Sequence, residues 1–326
     1  MCIRDSHGPI ITELLPGETR KIALRWTLQD GEGLVFFDVN SAQNWDEFRK
    51  AFSTFDAPGQ NVMYADVDGH IGYQATGRVP IRASGEGSLP VSGSDDAHEW
   101  KGWIPFDDMP HVYDPPEGIL ATANGRIAPN GYKYSISTEW EAPWRTDRIY
   151  RVLESGKKFA LADMLALQMD VSSTYDRFCA DKFVYAVDHA ASASARAKQA
   201  TDILRDWDGR MSADSAAPTI ETKARQELAR LLLEPRLGPT SYGPNRGTLS
   251  WKSYNWAMSS VWLENVLTKQ PARWLPPGYP DYGSLLTAAV ENVVKQSRSF
   301  VDSPSVDHSL APSDPVSYTH LDFRSK

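Results

Sequence analysis

The stretch Gly118–Leu153, GILATANGRIAPNGYKYSISTEWEAPWRTDRIYRVL, divides this chain into two kinds of sequence. Upstream, apolar residues recur mostly at strand spacing; downstream of Arg145 they recur about every 3.6 residues. Within the stretch stand a turn pair at Asn124-Gly125, a loop bearing Tyr132 and Tyr134, and an aromatic run from Trp140 to Trp144. Arg145 opens the helical register that follows, with Ile149, Val152 and Leu153 on one face. Strands mainly before residue 125 and helices after 145 predict an α+β protein rather than an alternating α/β one.

Upstream, Thr19–Thr27 alternates with Ile22, Leu24 and Trp26 on one face, the pattern of a half-buried strand. Gly31–Val39, with Val35, Phe36 and Phe37, reads as another short strand. Asn44–Phe55 carries Trp45, Phe48, Ala51, Phe52 and Phe55 at helical spacing. Asn61–Asp66 and His70–Thr76 read as strands joined through Asp66-Val67-Asp68-Gly69, a hairpin signal. Arg78–Gly102 is loop-like, and Gly118–Ala123 reads as a short strand delivering Asn124. Downstream, helical faces recur over Leu161–Met169, Tyr175–Ala190, Ala197–Trp207 (stopped by Asp208-Gly209), Ala224–Leu232, Ser250–Leu267 and Ser284–Lys295. The ends, MCIRDS at 1–6 and VSYTHLDFRSK at 316–326, hold no sustained period and read as translated adapter sequence, a sequencing artefact. That leaves 7–315 as the protein's own, with 7–145 sheet-rich and 146–300 helical.

Composition narrows the function classes. A hydrophobic fraction of 41% and a charged fraction of 23% are those of a soluble globular chain. A net charge of −8 argues against a nucleic-acid partner, because nothing would neutralise phosphates. No apolar run approaches the ~20 residues of a membrane span. Cys2 and Cys179 make no disulfide framework, and Cys179, on an apolar helical face, reads as an inert buried thiol. No phosphate-binding glycine loop, GxSxG or HExxH is present, and the seven histidines are scattered. Asp66–Gly69 lacks the further oxygens of a calcium loop and reads as a plain turn.

Two chemistries stay open at this level. Glu139, Glu141, Asp107 and Asp108 could furnish a glycosidase carboxylate pair, and 11 tryptophans suit a sugar ligand; solvated loop acids are the plain alternative. A carbohydrate-active or carbohydrate-binding protein is therefore one reading. Asn124 is either a turn residue or a side-chain amide aimed into a cleft, as an oxyanion hole requires. Arg145 is either a surface residue or a cation with a polar partner, which would offset its unfavourable place at a positive helix end.

NVMYADVDGHIGYQATGRVPIR (Asn61–Arg82), LPVSG (Leu89–Gly93), EWKGWIPF (Glu99–Phe106), GILATANGR (Gly118–Arg126) and EWEAPWRTDRI (Glu139–Ile149), in this order, resemble the β-subunit of penicillin acylases. These are N-terminal-nucleophile hydrolases of the penicillin amidase family, and the likeness spans roughly 7–300. The resemblance implies part of a four-layer αββα fold and an amide hydrolase acting on penicillin-like β-lactams or related N-acyl compounds. A serine freed at the β-chain's first position would attack, with its own α-amine as base. The family's oxyanion-hole asparagine falls on Asn124, and the arginine that orients it and the nucleophile's amine falls on Arg145.

The serine itself, the backbone oxyanion donor and the α-subunit partner from the same precursor would lie upstream of His7. This chain alone is accordingly expected to be inactive, and Ser135 and Ser137 lack the free amine that would make either a nucleophile. No cofactor is implied for the chemistry. The family can hold a structural calcium, but NGYKYSIS (Asn130–Ser137) stands where an acidic ligand is expected, so no metal ligand is evident. Trp140 and Trp144 could contribute only a wall of the acyl pocket. The resemblance also implies a periplasmic or secreted protein.

Overall fold

The structure is a computed structural model that describes residues 7–15, 17–31, 33, 35–238, 251, 254 and 258–296. Both stretches read as adapter sequence lie outside the described residues. The chain divides into two compact units, one running to Lys157 and the other starting at Lys158. It is an α+β protein, with every described strand before residue 125.

The first unit opens with two short helices, α1 (Phe36–Ser41) and α2 (Trp45–Phe52). Asn44 caps α2 by accepting from Glu47 N–H at 2.9 Å, which satisfies one of the donors a helix start leaves orphaned. The predicted strand over Gly31–Val39 is not formed; its second half is α1. The reason is reach: Val35 and Val39, four apart, both meet the cluster of Phe52 and Phe55, and a helical turn brings them within about 6 Å along the axis where a strand would hold them roughly 13 Å apart.

The expected hairpin is present as β1 (Asn61–Ala65) and β2 (Ile71–Ala75), paired antiparallel with Ala65 opposite Ile71. Gly69 takes φ +93° in the connecting turn, where Asp66 Oδ1 accepts from the N–H groups of Asp68 and His70. A third strand, β5 (His111–Tyr113), pairs antiparallel with the other edge of β2. The span Arg78–Gly102, read as loop, begins and ends in strand: β3 (Pro80–Arg82) pairs with β4 (Trp100–Trp103). Strands of three and four residues are too short to show a period in sequence.

Two further expected strands are absent. Thr19–Thr27 makes only an isolated bridge, Ala23 with Ile10, and leaves Leu24 and Trp26 exposed. Gly118–Ala123 forms no strand and pairs with none among the described residues. Alternation marks a chain that can be a strand; a neighbour with free backbone groups decides whether it becomes one. Leu120 and Ile127 instead anchor this segment by packing on the sheet-side core of Tyr73, Ala75, Ile104 and Met109. The connection between these two anchors carries Asn124. Helix α3 (Trp144–Leu153) closes the unit.

The second unit is helical: α4 (Leu161–Gln168), α5 (Thr174–Asp188), α6 (Ala195–Arg205), α7 (Ala217–Leu237), α8 (Val261–Lys269) and α9 (Tyr282–Gln296). Much of the first half of the predicted helix Ser250–Leu267 lies outside the described residues. The apolar positions of α5, α6, α7 and α9 meet in a core where Phe183, Leu204, Leu228 and Leu285 are fully buried. Each such side chain contributes roughly 1.5–3 kcal/mol. Cys179 is buried here, and its thiol is pushed up by burial, as an inert core thiol should be. Across this core runs one ionic cluster. Arg225 of α7 donates to Glu221 Oε1 at 2.8 Å, to Asp176 Oδ1 of α5 at 2.6 Å, and to the Met258 carbonyl at 3.0 Å. Among the described residues, no helix is long and apolar enough to cross a membrane.

Candidate active site

Asn124 and Arg145, far apart in sequence, are brought into contact. Asn124 sits in the left-handed region at φ +65°, which asparagine tolerates better than other non-glycine residues. Arg145 lies in the first turn of α3, immediately after Pro143-Trp144, and its side chain folds back over the loop. One guanidinium nitrogen, Nη2, donates twice: to Asn124 Oδ1 at 2.9 Å and to the Ala123 carbonyl at 3.0 Å. This answers the question its position raised. The cation that a helix start disfavours is held there by two acceptors on the facing loop, although the side chain remains exposed.

The contact dictates how the Asn124 amide is turned. A guanidinium only donates, so the atom facing it must be the amide oxygen. The Nδ2 group, with its two N–H donors, is directed away from Arg145, and no acceptor engages it among the described residues. The asparagine thus presents a fixed donor on an exposed surface.

Three further groups hold the loop, and the spacing of apolar residues did not single them out. Glu141 N–H donates to the Asn124 carbonyl at 3.1 Å. Tyr150, on α3, accepts from Ala121 N–H at 3.3 Å and donates to the Ala121 carbonyl at 3.4 Å. Thr146 lies under Gly125, where a Cβ would stand 3.1 Å from its Oγ1. Glycine therefore lets the loop lie directly on the helix. The signal available in sequence was Thr146 and Tyr150 at a four-residue interval, which places both on one helical face.

The remaining candidates are placed elsewhere. Asp108 accepts from Tyr134 Oη at 2.8 Å and pairs with Lys133 Nζ at 3.0 Å, contacts that hold its carboxyl below the usual range. Asp107 pairs with Arg49 at 3.0 Å. These acids staple loop 130–137 and helix α2 to the sheet side rather than face each other across a cleft. Ser137 turns back on its own loop, donating to the Glu139 carbonyl and accepting from Glu139 N–H. Among the described residues, no three His, Cys, Asp or Glu side chains are grouped where they could hold a metal ion.

The family model described as penicillin amidase matches residues 2–309. An acyl-homoserine lactone acylase of Pseudomonas fluorescens is 35% identical over 252 residues, covering 72% of this chain and 31% of that protein. A penicillin acylase 2 proenzyme of a Pseudomonas species is 32% identical over 234 residues, covering 71% of this chain and 30% of the relative. The chain therefore spans about three-tenths of the curated relatives it matches. In structure it is similar to a thermostable penicillin G acylase from Alcaligenes faecalis, with a TM-score of 0.59 and 22% identity over 81% of this chain and 51% of that one, a likeness of fold. A match that runs through both units and includes the Asn124–Arg145 segment has one consequence: this chain belongs to the penicillin amidase family.

Proposed function

We propose that this chain is part of an amide hydrolase that removes the acyl group from N-acyl compounds, with penicillin-like β-lactams and acyl-homoserine lactones as the candidate substrates. The observation that carries the reading is the 2.9 Å bond from Arg145 to Asn124 Oδ1, which leaves Asn124 Nδ2 as a preset donor. In this reading the nucleophile is an N-terminal serine released from a precursor that also supplies the α-subunit. Its hydroxyl adds to the substrate's carbonyl carbon and passes its proton to its own α-amine. The carbonyl oxygen becomes an oxyanion, which accepts from Asn124 Nδ2–H and from a backbone N–H. Collapse expels the amine, which takes the proton back, and water then hydrolyses the acyl-serine ester by the same route.

Electrostatic stabilisation is effective here because the donor is oriented before charge develops. Arg145 has no contact with the substrate in this scheme; it holds the amide in the orientation that donates. An unrestrained amide could turn its oxygen toward the oxyanion and repel it. The same reading places the protein in the periplasm or outside the cell.

The test is Asn124→Ala in the complete precursor, assayed on a chromogenic acyl-anilide and on an acyl-homoserine lactone. Loss of one oxyanion donor costs about 2.7–4 kcal/mol, so kcat should fall roughly 100–1,000-fold while the protein matures normally. A mature Asn124→Ala enzyme with wild-type kcat would overturn the assignment.

A further inference from the structure

The structure assigns Tyr150 a role that neither the resemblance nor the motif order suggests: we propose that it is a positioning residue for the Asn124 amide. The inference rests on the reading of Asn124 as an oxyanion donor. Asn124 holds a left-handed backbone that L-residues adopt at a cost, so the chain must be restrained on either side of it. Downstream, the restraint is Glu141 N–H on the Asn124 carbonyl. Upstream, Ala121 has no strand partner among the described residues, and both its backbone groups meet the single hydroxyl of Tyr150, at 3.3 Å from N–H and 3.4 Å from C=O.

A tyrosine hydroxyl can accept and donate at once, so it can serve both backbone groups of Ala121 as a neighbouring strand would. Tyr150 lies five residues after Arg145 on α3, so one rigid helix grips the loop at Ala121, Ala123 and Asn124. Gly125 lying against Thr146 keeps the loop close enough for all three contacts. Removing the hydroxyl leaves Arg145 in place but frees the approach to Asn124. The amide then keeps its orientation while its position relaxes.

The experiment is a double-mutant cycle in the complete precursor: wild type, Asn124→Ala, Tyr150→Phe and the double variant. Rates are taken per active site by burst titration, so that differences in folded yield do not enter. Tyr150→Phe should lower kcat about threefold to tenfold, the net worth of one or two hydrogen bonds, with KM within about twofold. In the Asn124→Ala background the same substitution should change kcat by less than about twofold, because there is no amide left to position. An equal loss in both backgrounds would show that Tyr150 acts on something other than Asn124 and would overturn the proposal. A silent Tyr150→Phe beside a large Asn124→Ala loss would also overturn it, leaving the oxyanion reading intact. A silent Asn124→Ala would remove both.

Discussion

Arg225→Met should open the helical unit locally, and the size of the effect follows from what the guanidinium touches. Arg225 is buried and donates to Glu221 at 2.8 Å, Asp176 at 2.6 Å, the Met258 carbonyl at 3.0 Å and Ser259 Oγ at 2.9 Å. Met258 keeps a donor in Tyr175 Oη at 2.6 Å, so the damage falls on the two carboxyl groups. Leaving a buried charge uncompensated costs about 3–5 kcal/mol. Glu221 can soften this by holding a proton, which brings the expectation to about 3 kcal/mol, the lower end of that range. Because a protein of several units need not unfold in one step, the readout should be local: hydrogen exchange of α5 and α7 peptides in the folded protein. At about 1.4 kcal/mol per tenfold, exchange there should quicken by a hundredfold or more, with α3 unaffected. Replacing all three groups together, Asp176→Leu, Glu221→Leu and Arg225→Met, should recover most of the protection, since an apolar cluster leaves no orphaned charge. Exchange of α5 and α7 within about fivefold of wild type in Arg225→Met would refute the reasoning.

Two further outcomes are expected. Burial pushes the Glu221 carboxyl up to about 8, above its ordinary 4.5, although Arg225 pulls it the other way and Asp176 adds to the rise. A carboxyl raised in the folded state is protonated there while the unfolded chain has already lost its proton. Its contribution to stability is therefore full below about pH 4.5 and lost as pH rises toward 8, a slope that Glu221→Gln should flatten in exchange measurements across that window. An unchanged slope in that variant would assign the titration to another group. At the site, Arg145→Met should lower kcat about tenfold, the lower end for a charge-assisted hydrogen bond given its exposure, and leave KM nearly unchanged. Arg145→Lys should recover only part, because a single ammonium does not reproduce the planar guanidinium. A full Arg145→Met effect persisting in an Asn124→Ala background would count against Arg145 acting through Asn124.

What could be read directly was local. The hairpin β1–β2 was legible because Asp-Gly between apolar runs is a turn signal contained within a few residues. The helices from Trp144 onward were legible because their apolar faces repeat over two turns or more. Thr19–Thr27 and Gly118–Ala123 carried strand character, yet among the described residues the first found only a one-residue bridge and the second no strand partner, and pairing is a property of two segments. The Val35 and Val39 positions were mistaken for strand because their common neighbour, the Phe52 and Phe55 cluster, belongs to another element.

The candidate site divides in the same way. From its residues alone, the sequence offered Asn124 as a turn amide and Arg145 as an ill-placed cation, and only the resemblance joined them. The order of motifs was enough to determine the family and to single out Asn124 and Arg145. Tertiary structure decided which way the amide faces, by placing a donor-only guanidinium 2.9 Å from its oxygen, and what holds the loop, by laying α3 against it. An amide's direction depends on the partner it meets across the fold, and no spacing along the chain records that distance.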